Sequence, residues 1–235
     1  LNSRRSVSTQ FPMATSIEGS AGNDLVIPDD AVTKVAISAT DDGAVVDVTS
    51  AVKDINISVG GEAPVLVEGA AVKSSVVRPA AAAGETAKIT FETKSVAKTT
   101  IVNEGEGSVD VDIAEGKFKK STIDLSNSAA KDSIAFGGDT TVTKSTIILG
   151  DGKDTVTFAE GIKLKGDTKI QVGDGKDVIE VPEEVKGKGQ IGISNFGLKD
   201  KLFVGGEKLK GKKIYNGKKD LPDFVTIQFE DGTVV

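Results

Sequence analysis

Carboxylates in tight glycine turns are the residues of this chain best placed to do chemistry. Two strings carry them, Gly150-Asp151-Gly152-Lys153-Asp154 and Gly173-Asp174-Gly175-Lys176-Asp177, set 23 residues apart. Each runs on into an alternating segment, Thr155-Val156-Thr157-Phe158 and Val178-Ile179-Glu180-Val181. Two kinds of chemistry are open to such a turn: oxygen ligation and backbone capping. In a turn without an ion, glycine admits positive φ, and aspartate caps backbone amides and pairs with lysine. Neighbouring segments keep the aspartate and lose the glycines: Asp132 follows Ser128-Ala129-Ala130-Lys131, and Asp200 follows Phe196-Gly197-Leu198-Lys199.

The rest of the composition closes off most other chemistry. The chain has no Cys, so disulfides and thiolate metal sites are excluded, and no His, which removes the usual general base and the usual transition-metal ligand. There is no Trp and a single Tyr, Tyr215, so stacking platforms for sugars or single-stranded nucleic acid are hard to build. The only arginines are Arg4, Arg5 and Arg78, and none sits in an acidic cluster of the kind a polysaccharide lyase needs. The Asp41-Asp42 pair reads as a solvated turn. The net charge is −6: residues 1–116 carry 9 basic and 17 acidic side chains, residues 117–235 carry 20 and 18. Lys131-Asp132, Lys153-Asp154, Lys176-Asp177 and Lys199-Asp200 read as mixed-charge ladders on a solvated face. A nucleic-acid binder would show a net basic stripe, and no run of 18 apolar residues spans a membrane.

The elements that position the turns follow a repeat. One apolar series runs Ile37, Ile57, Val77, Ile101, Ile123, Ile147, Ile170, Ile191. A second runs Val48, Val67, Phe91, Val111, Phe136, Phe158, Val181, Val204. A third runs Val52, Val72, Val96, Phe118, Val142, Leu164, Val185, Leu209. Each lies in a short segment that alternates polar and apolar residues and is rich in Val, Ile and Thr, as in Lys34-Val35-Ala36-Ile37-Ser38, which predicts a strand with one buried face. The Ala80–Ala83 run, between Pro79 and Gly84, predicts a loop that enlarges one coil. Three series in step predict an all-β chain, a parallel β-solenoid or β-roll-like helix of about eight coils with a period of about 22 residues. The competing arrangement is an antiparallel β-sandwich.

The two glycine turns resemble the calcium-binding nonapeptide G-G-x-G-x-D-x-U-x of the RTX (hemolysin-type) β-roll family. Gly150 and Gly173 match its second position, Asp151 and Asp174 its third, Gly152 and Gly175 its fourth, Asp154 and Asp177 its sixth. Gly22, Asp24 and Val26 repeat part of the pattern. The resemblance implies calcium between the coils at 150–154 and 173–177, held by these eight residues through aspartate carboxylates and turn carbonyls. It also implies export, or display on a cell or virion surface.

Three segments are expected. Residues 1–17 read as an extended arm, aperiodic and Ser/Thr-rich, with Leu1, Phe11, Pro12 and Met13 as its apolar anchors. Residues 18–209 form the solenoid. Residues 210–235 form a C-terminal β cap, with a hairpin whose strands flank Asp231-Gly232. The function this combination predicts is that of a non-enzymatic structural surface protein, a virion decoration or fibre component or a surface-layer component. It would be extracellular and would hold other structural proteins through residues 1–17, with homo-oligomerisation as a further option. The alternatives are an adhesive or glycan-binding module and, behind it, a polysaccharide-active β-helix enzyme.

Overall fold

The structure, a computed structural model, describes residues 52–59 and 64–209 with their side chains, together with Thr226 and Ile227. Backbone strands are described at Thr15–Gly19, Leu25–Ile27, Val35–Ala39, Val45–Val48, Phe224–Glu230 and Thr233–Val234. The chain winds as an all-β parallel solenoid of about six turns with a period of about 23 residues. The coils that the sequence places before residue 52 are described as backbone strands alone.

Each turn has three faces. The first is built from short strands such as Val76–Pro79, Thr100–Val102, Thr122–Asp124 and Thr146–Ile148. The second takes the front halves of Thr86–Ala97, Ser108–Lys119 and Ser133–Thr143, then Thr155–Phe158, Val178–Val181 and Lys201–Val204. The third takes the back halves of those long strands and the front of Lys163–Gln171 and Lys186–Ser194. The strands of the three faces pair in parallel with their counterparts one coil away, about 4.8 Å off. The patterns of alternate burial, such as that of Ser133–Thr143, follow from the period of two that a pleated strand imposes.

The interior is three ladders of apolar side chains. On the first face Ile57, Val77, Ile101, Ile123, Ile147, Ile170 and Ile193 stack in register. At full burial each contributes about 1.5–3 kcal/mol, and only stacking supplies that burial. Phe136 stacks on Phe158 with centroids 5.0 Å apart and meets Phe118 edge-on at 5.5 Å.

Four rungs differ from the sequence reading. Ile193, not Ile191, pairs with Ile170, and Ile191 sits buried opposite Thr168. Val46 holds the rung assigned to Val48, and Ile113 the rung assigned to Val111. Gly187 stands opposite Leu164, while Val185 is buried beside the rung. The cause is common to all four. A slip of two residues keeps the same side of a strand facing inward, so apolar pattern alone fixes the face and not the rung.

The ends also sharpen. Thr15–Gly19 pairs in parallel with Val35–Ala39, with Ile17 opposite Ile37. The first rung therefore starts inside the stretch read as an arm, and residues 1–14, with Leu1, Phe11, Pro12 and Met13, lie outside the described residues. At the other end Phe224–Glu230 runs antiparallel on the last long strand, with Ile227 opposite Ile191, and Thr233–Val234 returns on it as a hairpin.

Candidate functional site

The two glycine turns stack directly on each other at the corner between the first and second faces. Gly152 and Gly175 form a parallel bridge. The Gly152 amide donates to the Asp174 carbonyl at 2.8 Å, the Lys176 amide to the Gly152 carbonyl at 3.2 Å, and the Asp151 amide to the Ser128 carbonyl at 2.8 Å. A Cβ on Gly173 would lie 1.9 Å from the Gly150 carbonyl oxygen, and one on Gly175 1.8 Å from that of Gly152. The expected reason for these glycines was positive φ. Gly175 has it, at 155°, and at both positions the backbone of one coil also approaches the next closely.

Beside the turns runs a ladder of buried aspartates. Asp132, Asp154 and Asp177 are fully buried and Asp200 nearly so. Each gives one oxygen to the coil before it. The amides of Val109, Asp132, Asp154 and Asp177 donate to Oδ1 of Asp132, Asp154, Asp177 and Asp200 at 2.8, 2.9, 3.0 and 3.0 Å. Oδ2 of Asp200 accepts from the Gly197 amide at 2.6 Å. The Oδ2 atoms of Asp132, Asp154 and Asp177 are buried without a hydrogen-bond partner.

This corrects the reading of a solvated Lys-Asp face: the lysines are exposed and the aspartates are not. The strand parity carried the signal. Asp154, Val156 and Phe158 share one side of their strand, as do Asp177, Ile179 and Val181, and that side is the core. Burial pushes Asp154 up to about 7, with repulsion from Asp132, Asp177 and Asp151 adding to it against the pull of the Asp132 amide. Burial also pushes Asp132 and Asp177 up to about 6. The Val109 amide and the Ser128 hydroxyl oppose it at Asp132, the Asp154 amide at Asp177. Asp110 adds repulsion at the first, Asp200 and Asp151 at the second.

A second polar ladder, absent from the sequence reading, lines the corner between the third and first faces. The Thr99 amide donates to Ser121 Oγ at 3.1 Å and the Ile55 amide to Ser75 Oγ at 3.2 Å, while each hydroxyl donates to a carbonyl two residues back. Just before them Ser74, Lys98, Lys120 and Lys144 take φ values of 48°, 52°, 51° and 48°. The signal was a repeated string: Val96-Ala97-Lys98-Thr99-Thr100-Ile101, Phe118-Lys119-Lys120-Ser121-Thr122-Ile123 and Val142-Thr143-Lys144-Ser145-Thr146-Ile147. Elsewhere, a hollow of about 330 Å³ on the second face is lined by Thr157, Glu160, Glu180, Pro182 and Phe203, without a basic side chain.

Calcium takes six to eight oxygens. The turn carbonyls of Gly152, Asp174 and Ser128 already accept coil-to-coil amides. Asp154 and Asp177 each commit Oδ1 to an amide, and Asp151 Oδ1 faces the Asp174 amide at 3.4 Å. Among the described residues no group of three or more acidic side chains comes together to hold a metal ion. These contacts leave Oδ2 of Asp154 and of Asp177 unengaged. Gly150, Asp151, Gly152 and Asp154 meet Gly173, Asp174, Gly175 and Asp177 as a clasp between coils. Comparison of the chain with models of known families, with curated proteins and with solved structures finds no match.

Proposed function

We propose that this chain is a non-enzymatic structural component of an assembled extracellular surface, a virion decoration or fibre component or a surface-layer protein. The observation that carries the reading is the use made of the polar side chains. The aspartates of the Asp132–Asp200 ladder and the Ser75 and Ser121 hydroxyls are turned inward, where they bind the amides of adjacent coils. A site that acts on a substrate needs such groups converging on a space open to it. The Glu160–Glu180 hollow offers two carboxylates and the Thr157 hydroxyl, which donates to Glu180, without a basic side chain beside them.

In this reading the stacked glycine turns hold coils together without an ion, and their likeness to the RTX nonapeptide reflects the shared need for a narrow turn. Thermal melts with and without a calcium chelator should coincide. A rise in Tm on adding calcium that Asp154→Ala with Asp177→Ala removes would restore the ion to the turn.

Attachment is assigned to the segment ahead of the first rung. The deletion that tests it stops at residue 14, because Thr15 opens the first strand. Deleting residues 1–14 should leave the circular dichroism spectrum unchanged and abolish incorporation into the particle or layer. Incorporation at wild-type occupancy by the truncated chain would overturn this role for the segment.

A further inference from the structure

Charge is sorted along the rod. The corner between the third and first faces carries an exposed lysine in each successive coil, Lys98, Lys120 and Lys144 at the corner itself and Lys73, Lys165 and Lys188 one residue before it. The corner between the second and third faces carries an acid in each: Glu68, Glu92, Glu115, Asp139, Glu160 and Glu183. Glu68 stands opposite Glu92 and Glu115 opposite Asp139 in the sheet register, so the acids pair coil on coil, with a one-residue offset between successive pairs. The third face lies between the two corners. Among the described residues only two ion pairs form, Lys53–Asp54 at 3.5 Å and Arg78–Glu104, so both charged corners are left without ion-paired partners among those residues.

Like charges repeated at about 4.8 Å repel one another along each corner. An opposite row with the same repeat relieves that repulsion on every rung, and the other corner of a second copy has that repeat by construction. We propose that copies of this chain pack side by side, the acidic corner of one rod against the lysine corner of the next, with their third faces coplanar. The contact joins two different patches, so it does not close into a dimer and extends as a flat raft. A polyanion would satisfy the lysine row alone and leave the acidic row, about 16–20 Å away across the third face, without a partner, whereas a second copy satisfies both. This deepens the structural reading above by naming a second copy as lateral partner.

The test uses the full chain in sedimentation velocity and electron microscopy, at about 20 mM and about 500 mM salt. Wild-type protein should associate into rafts as concentration rises at low salt and disperse at high salt. The triple variants Lys98→Glu/Lys120→Glu/Lys144→Glu and Glu115→Lys/Asp139→Lys/Glu160→Lys should each need at least about tenfold higher concentration to associate. Mixed together they should assemble again, because one then has two acidic corners and the other two basic ones. Circular dichroism and Tm of each variant check that the rod is intact. If a triple variant does not fold, Lys98→Gln/Lys120→Gln/Lys144→Gln takes its place and should weaken association in the same direction. Wild-type protein that stays monomeric at low salt, association that ignores the variants, or a mixture that fails to assemble overturns the proposal. So does lysine-dependent binding of a sulfated polysaccharide without self-association. A monomeric rod whose incorporation still requires residues 1–14 would sink the raft and leave the structural role standing.

Discussion

Asp154 is asked to do two incompatible things. Its Oδ1 serves the Asp132 amide, and its Oδ2 is buried with nothing to bind. The folded state therefore favours the neutral carboxyl, and the pKa rises from 3.8 to about 7. For a carboxyl raised on folding, the unfolded chain releases the proton first. Its stabilising contribution is complete below about pH 4 and is lost as pH climbs to about 7. Asp132 and Asp177, raised to about 6, act in the same direction, and the ladder titrates as a coupled set facing Asp110, Asp151 and Asp200. The rod should melt higher at pH 5 than at pH 8. Each tenfold change in proton affinity on folding is worth about 1.4 kcal/mol, or about 3–5 °C for a chain of this size, so a difference of several degrees is expected. Asp154→Asn keeps the acceptor and removes the charge, so it should shrink that difference. An Asn variant with the full wild-type pH dependence would show that Asp154 is not its source. Asp154→Ala should cost about 1–3 kcal/mol at pH 5, because the buried Asp132 amide loses its acceptor. Gly175→Ala should destabilise at every pH, since its Cβ would sit 1.8 Å from a carbonyl oxygen that no rotamer can move. A melt unchanged by that substitution would show that the two coils can separate freely at the turn.

At the scale of the strand, the inward parity of a few residues decides the outcome of a substitution. Ile147 is fully buried between Ile123 and Ile170. Ile147→Asp would put an unpaired charge between two apolar rungs, at a cost of several kcal/mol, and should lower Tm by more than about 10 °C. An unchanged Tm would refute the register. The neighbouring Thr146 points outward, half exposed, and Thr146→Asp should shift Tm far less. These parities explain what the sequence made legible. The strands, their parallel stacking and the three apolar series follow from alternation and a repeat near 23 residues. The rung assignments at Val48, Val111, Val185 and Ile191 did not, because a two-residue slip preserves every face. The aspartate ladder was hidden by composition: Lys beside Asp reads as a surface pair, although Asp154 shares parity with Val156 and Phe158. The hydroxyl corner was hidden because Ser and Thr carry no apolar signal, and only the repeated Lys-Ser-Thr-Ile string marked it.

Over the whole molecule, a parallel solenoid leaves a row of unpaired amides and carbonyls at each end, and such an edge templates the addition of another chain. Here the far edge is occupied by the chain itself. Phe224–Glu230 lies antiparallel on Lys186–Ser194, with Gln190 opposite Gln228 and Ser194 opposite Phe224. The reversal of direction matters. A further coil would arrive in parallel and extend the stack, whereas an antiparallel strand followed by the short return at Thr233–Val234 interrupts the repeat. Ile227 is buried in this contact, so the cap also closes the apolar interior against water. Truncation after Leu209 should leave a rod with β circular dichroism and expose the edge at Gln190–Ser194. The truncated chain should then associate end to end, and because that contact is made by backbone hydrogen bonds and apolar side chains, high salt should not disperse it. Lateral rafts held by charge should disperse in the same salt, so the two modes separate in one titration. A truncated chain that remains monomeric in high salt would mean that the last coil protects its own edge, and that the terminal strand has another task.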